Sequence, residues 1–123
     1  MPRVVHFDIP ADDASRAAAF YSKVFGWKIT KWEGSGPMVY WMVSTGKDEE
    51  PGINGGLSKR QGPGGITNTI DVSSVDEYAS LVTKNGGEVL TQKMPIPTVG
   101  YFALCADPEG NPFGIMQFDK TAK

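Results

Sequence analysis

Read between its glycines and prolines, the chain gives one order of elements twice: an apolar strand, an amphipathic helix, then three strands. Such a duplication restricts the fold strongly, because each half must build a small sheet that one helix covers. The first copy opens with Val4-Val5-His6-Phe7-Asp8-Ile9, an apolar, β-branched run short enough for a strand. Pro10-Ala11-Asp12-Asp13 then supplies an N-cap and carboxylates at the positive end of a helix dipole. The spacing predicts a helix from Ala14 to Phe25, with Ala17, Phe20, Tyr21 and Val24 on its buried face and Gly26 as its left-handed stop. Trp27 to Trp32 alternates as a strand, Gly34-Ser35-Gly36-Pro37 reads as a turn, and Met38 to Ser44 and Ile53 to Lys59 read as two further strands.

Arg60-Gln61-Gly62-Pro63-Gly64-Gly65 is the hinge by composition. Beyond it, Ile66 to Val72 answers the first strand, so that Phe7-Asp8-Ile9 lies over Ile70-Asp71-Val72. Ser73 or Ser74 caps a second helix with Val75, Tyr78, Leu81 and Val82 on its apolar face, ended by Asn85-Gly86-Gly87. Glu88 to Met94, Tyr101 to Ala106 and Pro112 to Phe118 supply three more strands. Asp107 to Asn111 is a tight turn, and Gln92 to Gly100 reads as a mobile rim. Residues 1–123 then form one domain, with internal modules at about 1–60 and 66–123. One helix cannot cover both faces of a four-stranded sheet. The expected architecture is therefore α+β: two tandem βαβββ modules whose mixed sheets form one curved cup, with the helices outside and a ligand site within.

Charge and composition exclude several functions. Twelve basic residues against 14 acidic ones leave a formal charge of -2, scattered in sign, with no basic stripe for phosphates. Nucleic acid is not an expected partner. No apolar run approaches the roughly 18–20 residues of a membrane span, and Met1 to His6 carries no signal-peptide segment, so the expected location is the cytoplasm. The lone Cys105 cannot form an internal disulfide and reads as a buried, inert thiol. The clusters Gly55-Gly56, Gly62 to Gly65 and Gly86-Gly87 lack a phosphate-loop signature and read as turns and close-packing sites.

Three separated motifs carry a resemblance: His6-Phe7-Asp8-Ile9-Pro10, Phe20-Tyr21-Ser22-Lys23-Val24-Phe25-Gly26-Trp27, and Asp107-Pro108-Glu109-Gly110-Asn111-Pro112-Phe113. In this order, within paired strand–helix–three-strand modules, they resemble the vicinal oxygen chelate superfamily of glyoxalase I, bleomycin and fosfomycin resistance proteins, and extradiol dioxygenases. The resemblance covers essentially the whole chain. It implies a divalent metal held by ligands on the first and last strands of each module. His6 fits the first position. The resemblance puts Thr69, Gly56 and Gly114 at the other three, and none offers a histidine or carboxylate donor. Metal-dependent catalysis is disfavoured on that ground, and no cofactor is expected; Asp8, Asp71 or Gln117 would serve only in a register slipped by one residue.

His6 then has four readings: a leftover ligand, a general base, a hydrogen-bonding wall residue, or a structural histidine satisfied by a neighbouring strand or by Asp8. Asp8 and Asp71 read as caps of the following helix or turn. Alternation along a strand sends one member of Tyr40/Trp41 and one of Tyr101/Phe102 toward the cup. With Trp27, Trp32, Phe113 and Phe118, these give an aromatic set large for so short a chain. The candidate ligand-binding residues are His6, Tyr40, Trp41 and Thr69 in sequence order, followed by Tyr101, Phe102 and Met116. The leading expectation is enclosure of a small organic molecule in an aromatic cup without metal, in the manner of drug-sequestering resistance proteins. The alternatives are a lyase, isomerase or dioxygenase acting on a small carbonyl compound with a divalent metal near His6, and a partner-binding or regulatory module. The resemblance further implies a homodimer, for which exposed sheet edges give a physical motive.

Overall fold

The computed structural model describes residues 2–32, 39–62 and 64–123. The expected turn at Gly34 to Pro37, the strand start at Met38 and Pro63 of the hinge lie outside these. The chain divides into two compact units, His6–Ile66, and Met1–Val5 together with Thr67–Lys123.

The first unit holds β1 (Val4–Ala11) from His6 onward, α1 (Ala14–Phe25), β2 (Lys28–Lys31), β3 (Tyr40–Ser44) and β4 (Asn54–Lys59). β1 runs parallel to β4, β4 antiparallel to β3, and β3 antiparallel to β2. α1 starts where the Asp13 carboxylate accepts the Arg16 backbone N–H at 3.0 Å and stops at Gly26, left-handed at φ 73°. Its buried face differs from the expected one. Ala14, Ala17, Ala18 and Tyr21 pack on Phe7, Ile9, Val43 and Leu57, whereas Phe20 and Val24 are exposed. Alanines let the helix lie close to the sheet, and that contact sets its rotation. Tyr21 then stacks on Trp27 with ring centroids 5.1 Å apart.

The second unit holds β5 (Thr67–Asp71), α2 (Val75–Lys84), β6 (Glu88–Val89), β7 (Met94–Ile96), β8 (Gly100–Ala106) and β9 (Pro112–Phe118). β5 runs parallel to β9; β8 is antiparallel to β9, β6 and β7. Ser74 caps α2 by accepting the Glu77 N–H, and the Gln117 amide oxygen accepts the Val75 N–H at 3.0 Å. Gln117 is thus committed to the helix start, and the helix caps are Asp13 and Ser74 rather than Asp8 and Asp71. Val75, Tyr78, Ala79 and Val82 pack against Ala103, Cys105 and Ile115, while Leu81 stays exposed. Burial pushes the Cys105 thiol up in pKa, in keeping with an inert role.

The expected strand from Glu88 to Met94 is two strands. Leu90 and Thr91 both donate their N–H to the Leu104 carbonyl, and the Thr91 hydroxyl accepts the Leu104 N–H at 2.9 Å. A side chain thus replaces the backbone ladder there, and the chain leaves β8 before rejoining it as β7. The segment expected as a mobile rim is mostly this hairpin, with Pro95 opposite Tyr101 and a turn at Thr98 whose N–H reaches the Ala122 carbonyl at 2.9 Å. Asp107 closes the tight turn by accepting the Glu109 and Asn111 N–H groups, and the Asn111 bonds hold its carboxyl below the usual range. No described helix is long and apolar enough to cross a membrane.

Candidate functional site

Alternation divides the first unit into two faces. Phe7, Ile9, Trp41, Val43 and Leu57 form the core under α1. His6, Asp8, Tyr40, Met42 and Gly56 occupy the intervening positions and take the other face. There the β1–β4–β3 registers, Asp8 opposite Gly56 and Gly56 opposite Met42, set Asp8 and Tyr40 on either side of a strand with no side chain between them.

The Tyr40 hydroxyl spans that gap. It donates to Asp8 Oδ1 at 2.8 Å and lies 2.9 Å from His6 Nε2, which is itself 3.3 Å from the same carboxylate oxygen. With the single phenolic proton donated to Asp8, the phenol oxygen is an acceptor for His6 when the imidazole carries its proton on Nε2. Burial and the Asp8 carboxylate together push the Tyr40 pKa far above the ordinary tyrosine value. A raised tyrosine pKa contributes stability that is fully present below about pH 10 and is lost as the pH rises beyond it. Tyr40→Phe is therefore expected to flatten the alkaline limb of the stability profile, read by urea unfolding between neutral pH and about pH 11. An unchanged limb would place Tyr40 outside this network.

The two units repeat one packing device. A Cβ built on Gly56 would overlap the Tyr40 hydroxyl, and one built on Gly114 would overlap the Phe102 ring and come within 3.0 Å of the Thr69 hydroxyl. Tyr40 pairs with Ser58, two residues past Gly56, and Phe102 with Met116, two past Gly114, so the two aromatic residues are counterparts. The same registers place Thr69 opposite Gly114 as Asp8 is opposite Gly56. Counted back from the caps, His6 precedes Asp13 by seven residues and Thr67 precedes Ser74 by seven. The counterpart of His6 is thus Thr67, two residues before the expected Thr69.

Of the candidate ligand-binding residues, His6 and Tyr40 are in contact, each half-buried. Trp41 lies in the helix-side core, where its indole nitrogen has no hydrogen-bond partner among the described residues. Tyr101 packs in the helix-side core of the second unit, with the Lys93 ammonium 5.0 Å above its ring. Phe102 and Met116 face away from α2, while Thr69 is buried at 4% exposure. The sequence reading offered Asp8 as a partner of His6 but missed it as the acceptor of the Tyr40 hydroxyl, and missed Trp32 as the ring set edge-on to Tyr40, at 5.8 Å and 73°. Their period-two spacing from His6 and Thr30 was the available signal.

The sequence profile of the Glyoxalase/Bleomycin resistance protein/Dioxygenase superfamily matches residues 3–115. The chain belongs to this superfamily. A Didymella fabae protein named as glyoxylase-like domain-containing is 34% identical over 112 residues, 88% of each chain. CFP32 of Mycobacterium bovis is 28% identical over 114 residues, which are 89% of this chain but only 42% of that longer protein. Among solved structures, the hypothetical protein BH1468 of Bacillus halodurans superposes with a TM-score of 0.72 at 15% identity, covering 98% of this chain and 97% of that one. A variant of Streptomyces coelicolor methylmalonyl-CoA epimerase gives 0.71 at 15% identity over 100% and 99%. At such identity these two likenesses establish the glyoxalase-like fold alone.

The superfamily's divalent metal calls for three or four converging nitrogen and oxygen donors. Among the described residues, no three His, Cys, Asp or Glu side chains gather in one place. Gly56 and Gly114 offer no donor, and aromatic side chains fill the space a donor there would need. His6 Nε2 is already engaged by Tyr40. The residues present do not fit such an ion.

Proposed function

We propose that this chain binds a small organic molecule without a divalent metal, on the face of the first unit that carries His6, Asp8 and Tyr40. The observation that carries the reading is the Tyr40 hydroxyl seated over Gly56 and bonded to both Asp8 and His6. A polar network half open to solvent, at the foot of a Trp32–Tyr40 aromatic pair and beside the exposed Met42, has the make-up of a ligand wall: an apolar surface with a few fixed polar groups. Such a surface suits flat organic molecules, which stack on one part and bond to the other.

A thermal-shift and calorimetry screen over flat aromatic, dicarbonyl and glycopeptide compounds tests the reading. At least one ligand with a Kd below about 1 mM is expected, with its affinity lowered in Tyr40→Phe. A screen in which nothing binds more tightly than this contradicts it.

A further inference from the structure

Counting donors and acceptors in the network gives the chemistry of its ligand. The Tyr40 proton is spent on Asp8, and in the neutral Nε2–H form of His6 the one ring proton goes to Tyr40, so that in this form neither residue has a donor left. His6 Nδ1 and Asp8 Oδ2 carry the free lone pairs, and the side chains of both residues are about one-third exposed, at 34% and 32%. All that the three residues offer an incoming molecule is acceptors, one of them ionised. Among the described strand residues of this face, Lys28 is the other charged side chain; it pairs with Ser44, which the β3–β4 register carries opposite Asn54, so Lys28 stands in the row of His6, three strands away. Three strand spacings separate the two positions, about 14 Å between backbones, beyond the screening length of about 10 Å at 0.1 M salt. The Asn54 amide, opposite His6 in register, is neutral, and its oxygen already accepts the Thr45 N–H at 2.9 Å. Among the described strand residues of this face, the charge nearest a ligand at His6 is therefore that of Asp8.

We propose that this face takes an organic cation with N–H donors, of the ammonium or amidinium class, and that Asp8 and His6 Nδ1 are its acceptors. The assignment rests on the small-molecule reading above and adds charge and donor pattern to it. An anionic ligand would meet the Asp8 carboxylate with nothing to offset it, and a neutral one would forgo the charge-assisted bond.

Three probes of one shape and different charge test it: benzamidine, benzamide and benzoate, titrated into nitrogen-15-labelled protein and followed by NMR at pH 8. The expected result is a Kd for benzamidine roughly fivefold to tenfold below that for benzamide, with shifts on β1 and β3 and no response there to benzoate. Asp8→Asn keeps an acceptor for the Tyr40 hydroxyl while removing the charge, and is expected to bring the preference close to one. Long-range nitrogen–proton spectra of His6 are expected to show the Nε2–H tautomer in the free protein. Equal binding of benzamidine and benzamide, tighter binding of benzoate, or a preference unchanged in Asp8→Asn overturns the cation assignment and leaves the small-molecule reading standing. No binding of any probe at about 10 mM overturns the cation assignment, and the ligand screen then decides the broader reading separately.

Discussion

Gly56→Ala is expected to destabilise the chain by about 2–4 kcal/mol, a large cost for one methyl group. The added Cβ would fall on the Tyr40 hydroxyl, which cannot retreat without giving up its bonds to Asp8 and His6. β4 has no slack either, because Gly56 is paired on both sides, to Asp8 in β1 and to Met42 in β3. Relief must come from expelling the tyrosine ring, which takes the phenol away from Asp8 and His6, leaves those two only their 3.3 Å contact with each other, and exposes apolar surface near Trp32. The same substitution in a Tyr40→Ala background is expected to cost less than half as much, since the obstruction is gone. Urea unfolding of the four proteins in the cycle reads this as a coupling energy. A cost that is the same with and without the Tyr40 side chain would mean that the glycine serves the backbone, and that no donor position is closed by the ring.

The second large effect belongs to the next residue, on the opposite face of the same strand. Leu57 is fully buried, at 0% exposure, in the core formed by Ile9, Ala18 and Val43. Leu57→Ala removes three buried carbons and leaves a cavity beneath α1, for an expected loss of about 3–5 kcal/mol. Because strand alternation separates Leu57 from the network face, this loss is expected to be independent of Tyr40. Unfolding of the Leu57→Ala/Tyr40→Phe double variant checks it, and losses that add within about 0.5 kcal/mol are the expected result. Strong coupling would mean that the two faces of β4 move together.

Much of the fold was legible because its signals are local. Asp13 and Gly26 mark the bounds of α1 by cap chemistry that needs only neighbours a few residues away, and Ser74 does the same for α2. The rotation of α1 was not legible. Ala14-Ala17-Ala18-Tyr21 and Ala17-Phe20-Tyr21-Val24 are both stripes at helical spacing, and only the close fit of alanines on the sheet chooses between them. The break between β6 and β7 depends on the Thr91 hydroxyl replacing a ladder bond, which no period-two pattern reports.

The site was legible in part. His6 was a candidate on three of its four readings, and the glycines at 56 and 114 already lacked donors. What the sequence concealed is long-range: Tyr40 reaches Asp8 across 32 residues only because β1, β4 and β3 align in one register. The misplacement of Thr69 has a simple origin. Similar triplets, Phe7-Asp8-Ile9 and Ile70-Asp71-Val72, suggested one alignment, whereas the helix caps and strand registers impose another that pairs His6 with Thr67. Residue similarity within apolar strands is a weak guide to register, because many residues fit a half-buried pleat.

The most direct test of the central claim is the metal content of protein purified without chelator, measured by plasma mass spectrometry beside a His6→Ala control. The account predicts well under one divalent ion per chain, and the same low value in the variant. Near-stoichiometric metal that disappears in His6→Ala would contradict it, and would mean that the Tyr40 and Phe102 rings do not close the donor positions at Gly56 and Gly114.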